Sequence, residues 1–149
     1  MDAHLINKLL SSTGAILAER MESGSRPGRP FSREAALTPY EYNVLVTLKQ
    51  EGARPLEFMV STPAMMADAL VGNSDAAPGE RLAALAELAQ SIAKKAVEHL
   101  DPGTVDVEMP RGVVGWDITV PSLRQTARRI CVPFDGEAGS LIVEAGVHT

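Results

Sequence analysis

Residues 42–61 read YNVLVTLKQEGARPLEFMVS. In the first half Tyr42, Val44, Val46 and Leu48 alternate with positions that include Asn43, Thr47 and Lys49. In the second, Leu56, Phe58 and Val60 alternate with Glu57, Met59 and Ser61. Period-two alternation on both sides of a turn containing Gly52 is the pattern of a β-hairpin of half-buried strands. One face belongs to a core and the other is expected to meet solvent.

Working outward, Thr62-Pro63 is a helix start, with Thr62 as N-cap and Pro63 at the first helical position. The short helix 63–71 stops at Gly72-Asn73. Pro78-Gly79 introduces the longest helical pattern, 80–100, which ends at Asp101-Pro102-Gly103. Beyond it, three alternating segments read as strands. Val105, Val107 and Met109 form the first, Ile130, Val132 and Phe134 the second, and Leu141, Val143, Ala145 and Val147 the third. Asp135-Gly136 and Gly139 join the last two as a hairpin. A further strand is weakly indicated over 113–120. On the N-terminal side, Leu5, Leu9, Ile16 and Leu17 recur at helical spacing over 4–21, with Ile6 and Leu10 widening the stripe. Residues 23–30, rich in Ser, Gly, Arg and Pro, read as an exposed loop. The order is α-β-β-α-α-β-(β)-β-β. Grouped helices and strand hairpins predict an α+β fold, an antiparallel sheet covered by helices. The chain, 1–149, is expected to form one domain.

Bulk properties exclude several classes. The chain has 149 residues, 45% hydrophobic and 22% charged, a normal globular composition. Its single cysteine, Cys131, permits no internal disulfide, and a reducing, cytoplasmic setting is expected. Cys131 alternates out of phase with Ile130 and Val132, so partial exposure is expected. The N-terminus does not read as a signal peptide, and no apolar run reaches the roughly 18 residues of a membrane span. A net charge of −5 with 4% aromatics argues against nucleic acid. The basic clusters Arg26–Arg29–Arg33 and Arg124–Arg128–Arg129 read as a solvated loop and a charge-protected strand edge. There is no Gly-rich phosphate loop and no dinucleotide fingerprint. His4, His99 and His148 are isolated from one another and from Cys131, so no metal site is expected. Met65-Met66 reads as core filling, and Trp116 as packing.

The helix at 80–100 is different. At 100° per residue with Glu87 at zero, its Leu, Ile and Val residues, with Ala89, Ala93 and Ala96, fall between about 100° and 280°, a broad buried face. The opposite face carries Glu80, Ala83, Ala84, Glu87, Gln90, Ser91, Lys94 and Glu98. Glu87 and Gln90 lie three apart and can reach one partner. Ala83 and Ser91 keep the surround small, as a docking surface requires. Glu and Gln are also ordinary helix formers, so a plain solvated face gives the same pattern.

The stretch Ala86-Glu87-Leu88-Ala89-Gln90-Ser91-Ile92-Ala93-Lys94-Lys95-Ala96 resembles the signature helix of the CheC/CheX family of bacterial response-regulator phosphatases, its CheX branch in particular. There Glu-x-x-Asn is followed by an apolar residue, small residues and a lysine. His4-Leu5-Ile6-Asn7-Lys8-Leu9-Leu10 is similar to the family's opening helix. Pro110-Arg111-Gly112-Val113-Val114-Gly115 is similar to its Pro-x-x-Val-x-Gly segment. Ile130-Cys131-Val132-Pro133-Phe134, Gly139 and Leu141-Ile142-Val143 are similar to its closing hairpin. These places span nearly the whole chain in the right order.

The resemblance implies a CheX-like fold and hydrolysis of the aspartyl phosphate of a phosphorylated CheY-type receiver domain, in chemotaxis or related two-component signalling. Glu87 would be the docking acid and Gln90 the amide that orients the attacking water, with Ala83, Ser91 and Lys94 on the partner-binding patch. It implies no cofactor of its own, Mg2+ held by the receiver, and a homodimer built through the sheet. The family has Asn where this sequence has Gln90, the same amide on an arm one methylene longer; the unrelated phosphatase CheZ uses a glutamine for this task. No acid stands three before Asn7, so one site per chain is expected. Two alternatives stay open: a non-catalytic docking or dimerisation module that binds a receiver without hydrolysis, and a structural protein whose smooth helix face is an oligomer contact.

Overall fold

The computed structural model describes residues 2–21, 26–33, 38–98, 100, 103–115, 118 and 126–148. Among these residues, the helices α1 (Asp2–Arg20), α2 (Ala64–Val71) and α3 (Pro78–Val97) pack on one antiparallel sheet. Its strands are β1 (Arg26–Pro27), β2 (Phe31–Arg33), β3 (Tyr42–Gln50), β4 (Leu56–Thr62), β5 (Val105–Val107), β6 (Arg111–Val114), β7 (Thr126–Gly136) and β8 (Gly139–His148). The spatial order is β1-β7-β8-β4-β3-β5, with β2 also on β7 and β6 also on β3. The α+β architecture and the helix order follow the alternation and helical periodicity of the sequence. The expected loop at 23–30 is in part strand, because Arg26 and Pro27 pair with Asp135 and Phe134. Of the strand expected over 113–120, Val113 and Val114 fall in β6, which begins earlier, and residues 116, 117, 119 and 120 lie outside the described residues. Trp116 and Arg124 lie outside the described residues.

The strands β3 and β4 pair from Tyr42↔Thr62 to Leu48↔Leu56, as their alternation requires. Tyr42, Val44, Val46 and Leu48, with Leu56, Phe58 and Val60, enter the helix-covered core. Val132 and Phe134 of β7 and Leu141, Val143 and Ala145 of β8 continue it. The helices contribute Leu5, Ile6, Leu9, Ile16 and Leu17 of α1 and Leu85, Leu88, Ala89, Ile92, Ala93 and Ala96 of α3. Of the expected Met65-Met66 core pair, only Met66 is buried; Met65 is 71% exposed.

The other face of the hairpin corrects a second expectation. It is not solvated: Asn43, Leu45, Thr47, Glu57, Met59 and Ser61 are all buried. Buried polar groups need partners, and several are in place. The Thr47 hydroxyl donates to Glu57 Oε1 at 3.0 Å, and the Ser61 hydroxyl donates to Asn43 Oδ1 at 2.6 Å. Arg111 approaches Glu57 at 3.5 Å. Arg129, read from sequence as a charged strand edge, is buried at 1% exposure, with Nε 3.3 Å from Glu144. Cys131 is buried on the same face, where partial exposure was expected. Register explains the grouping. Thr47, Glu57, Gly146 and Arg129 form one row across four paired strands.

Helix boundaries place the site. Thr62 is not the cap of α2: it ends β4, and its hydroxyl donates to the Ser140 carbonyl at 3.0 Å. Pro63 takes the N-cap position, without a side-chain cap. Gly72 closes α2 with φ 85°, a left-handed conformation that suits glycine. Pro78 opens α3 from within its first turn. Arg81 ties that turn down, donating to both Asp68 oxygens at 2.6 and 3.1 Å and to the Tyr42 hydroxyl at 2.9 Å. These bonds, Asp68's above all, hold its guanidinium well above the ordinary arginine value. One residue thus joins α2, α3 and β3.

Candidate functional site

The exposed face of α3 is a product of its packing. Six residues of one stripe are buried, and Leu82, Ala86 and Val97 flank them, half-buried. Glu80, Ala83, Glu87, Lys94 and Glu98 are left exposed, while Ala84, Gln90 and Ser91 are half-buried. Glu87 and Gln90 sit about 100° × 3, or 300°, apart around the helix and about 4.5 Å along it. They therefore flank one strip of surface. Gln90 lies on the shoulder of the face, with Glu87 nearer its crest.

Helix α1 borders the strip. Arg20, in its last turn, reaches Ser91 and Glu87, whereas Lys8, Ser11, Ser12 and Ala15 line a common cavity with Lys95 and Glu98. The two helices are therefore antiparallel. Between them, at the Lys8–Lys95 end, lies a polar cavity of about 300 Å³. A larger, mostly apolar cavity of about 580 Å³ lies elsewhere, between α2 and the β7–β8 turn at Ala138.

Arg20 engages the carboxylate of Glu87 with both terminal nitrogens. Its Nη1 bonds Oε2 in a short contact, and its Nη2 donates to Oε1 at 2.9 Å. The same Nη2 donates to the Ser91 hydroxyl at 3.0 Å, and that hydroxyl donates to Glu87 Oε1 at 2.9 Å. The three side chains close a ring. Glu87 remains 60% exposed and Arg20 33% exposed. The Arg20 bonds hold the Glu87 carboxyl below its ordinary value against partial desolvation, with Ser91 adding to the effect. The guanidinium is raised in turn by Glu87.

The structure thus brings Glu87, Ser91 and, along the same face, Ala83, Gln90 and Lys94 together. Sequence reading did not find Arg20. It is 67 residues from Glu87, and a basic residue in a last helical turn is already accounted for by the helix dipole. Among the described residues there is no group of three or more His, Cys, Asp and Glu side chains placed to hold a metal ion. Among the described residues no helix is long and apolar enough to cross a membrane.

No protein-family model matches the chain, and no curated protein matches it significantly. Solved structures do. A chemotaxis protein CheX from Desulfovibrio desulfuricans superposes with a TM-score of 0.78 at 17% identity, over 97% of this chain and 99% of that one. A chemotactic CheC-like protein from Shewanella oneidensis gives 0.80 at 16% identity, over 98% and 99%. A chain in the CheX–CheY–BeF3–Mg2+ complex from Borrelia burgdorferi gives 0.71 at 16% identity, over 97% of each. The chain has the fold that these CheX and CheC-like chemotaxis proteins share.

Proposed function

We propose that this CheX-like chain is a phosphatase of a phosphorylated CheY-type receiver domain, working through Glu87 and Gln90 on the open face of α3. The observation that carries the reading is this acid–amide pair, one turn apart on the long helix of a CheX fold. The existence of a CheX–CheY–BeF3–Mg2+ complex among proteins of that fold supports the choice of partner.

The chemistry asks little of the enzyme. An aspartyl phosphate is an acyl phosphate and already reactive, so holding one water in line with the scissile bond is most of the task. The water oxygen bonds phosphorus, the bond from phosphorus to the aspartyl oxygen breaks, and the aspartate leaves as a carboxylate. The water's protons pass to phosphate and solvent. A primary amide suits the positioning role because it donates and accepts hydrogen bonds without changing charge. Gln90 takes that role. Glu87 pairs with a cation of the receiver and sets the approach. Ala83, Ser91 and Lys94 lie on the contact patch. The magnesium ion belongs to the receiver in this reading. It also carries the expectation of a cytoplasmic homodimer.

A second reading, receiver docking without hydrolysis, is favoured by one observation: Gln90 is half-buried on the shoulder of α3 rather than at its crest. Phosphate release from a magnesium-loaded, phosphorylated CheY-type receiver separates the two. Acceleration that disappears in Gln90→Ala supports the phosphatase. Phosphorylation-dependent binding without acceleration transfers the assignment to the docking module.

A further inference from the structure

We infer that Arg20 is an internal competitor for the cation that a partner brings to Glu87, so that docking on α3 exchanges one ion pair for another. The inference rests on the docking role proposed for Glu87 and adds a regulatory part to it.

The geometry shows how little of the carboxylate is left over. A carboxylate has two oxygens and about four acceptor positions. The fork of Arg20 takes one on each oxygen, and the Ser91 hydroxyl takes a second on Oε1. One position remains, on Oε2, beside a guanidinium of the same sign as an arriving ammonium. A lysine from a partner must therefore displace Arg20 or bind at the edge of a like charge. Arg20 is free to leave. It stands at the end of α1, a third exposed, on a long and flexible side chain.

The opposite role, in which Arg20 orients Glu87 for the partner, gives it less to do. Ser91 sits four residues on from Glu87 on the same helix and donates to Oε1, a contact made wholly within α3. Orientation is supplied within α3, and what Arg20 adds from α1 is a charged fork that occupies a position on each oxygen. The contact thus raises the threshold for docking by the modest amount an exposed ion pair is worth.

The test uses the full chain and, as probe, a CheY-type receiver loaded with beryllofluoride and magnesium, with affinity measured by calorimetry. Arg20→Gln is expected to bind about two- to fivefold tighter than wild type, the range of an exposed ion pair. Arg20→Lys, which keeps the charge and loses the fork, is expected to fall between. In a Glu87→Gln background the Arg20 substitutions are expected to have no effect. If Glu87→Ala abolishes binding while Arg20→Gln leaves it unchanged or weakens it, the competitor role is overturned and the docking role stands. If Glu87→Ala binds as wild type does, the docking role falls and the competitor role with it. If no variant binds the probe, both are overturned. Circular dichroism of each variant confirms that the comparison is between folded proteins.

Discussion

One methylene separates glutamine from asparagine, and at position 90 it sets how far an amide reaches from a backbone that α3 packing holds still. Gln90→Asn draws the amide back by about 1.5 Å, the length of a C–C bond. In a step that depends on aligning one water, a displacement of that order costs about 100-fold. Single-turnover decay of a phosphorylated receiver measures it, and a rate within tenfold of wild type would show that the longer arm is not required. Gln90→Ala removes the amide and should abolish acceleration while changing stability by no more than about 1 kcal/mol at this half-buried position on the helix shoulder. Glu87 gives a prediction in pH. Its carboxyl is held below the ordinary glutamate value, first by Arg20 and then by Ser91. A lowered folded-state value means that the pair's small stabilisation is present above the unfolded value, about 4.3, and is lost as pH falls through the folded one. Carbon-13 titration of the Glu87 carboxyl should show a midpoint below the ordinary glutamate value, moving up in Arg20→Ala; an unmoved midpoint would remove Arg20 as the cause. At this scale the acid and the amide were legible because three residues of helix bring them together. Arg20 was not, because its contact is made by the fold.

Elements carry the face. Helix α3 turns Glu87 and Gln90 outward only because Leu85, Leu88, Ala89, Ile92, Ala93 and Ala96 are fully buried. Leu88, directly after Glu87, is the position at which stability and site are most closely joined. Leu88→Ala should cost about 2–5 kcal/mol, read from urea unfolding, and a loss below 1 kcal/mol would contradict the packing. The helices were legible, since a 3.6-residue period survives any tertiary context. The strands were legible as alternating hairpins but not in their burial. Asn43, Thr47, Glu57 and Ser61 alternate with apolar residues and read as a wet face, yet hydrogen bonds and ion pairs let them be dry. The same holds for Arg129 and Glu144 on β7 and β8. Removing one member of a buried pair leaves a charge in a poor solvent, so Glu144→Ala should cost about 3–5 kcal/mol. Replacing both by apolar residues, Arg129→Met with Glu144→Leu, should recover most of that loss. Equal melting of the single and double variants would show that the pair does not act as a unit.

For the whole molecule, the question is which surface is kept open. The sheet is flanked by short segments: β1 and β2, of two and three residues, on β7, and β5 and β6, of three and four, on β3. Short outer strands blunt the edges of a sheet against open-ended pairing. Exposed apolar side chains stand near both borders, Phe31 and Ile130 at one, Met109 and Val114 at the other. None of these is on α3. A homodimer, the state implied by the resemblance, can then form through the sheet and its borders while the Glu87 face stays open to a receiver. The competing view, that the smooth face of α3 is itself the self-contact, places Glu87 in the interface. Glu87→Arg discriminates between them. It sets a third positive charge near Arg20 and Lys94, so it should disrupt any α3-to-α3 contact. Sedimentation velocity should give the same association state for wild type and Glu87→Arg, with receiver binding lost only in the variant. A dimer that dissociates on this substitution would assign the face to self-association, and the proposed phosphatase would lose the open surface on which its two residues depend.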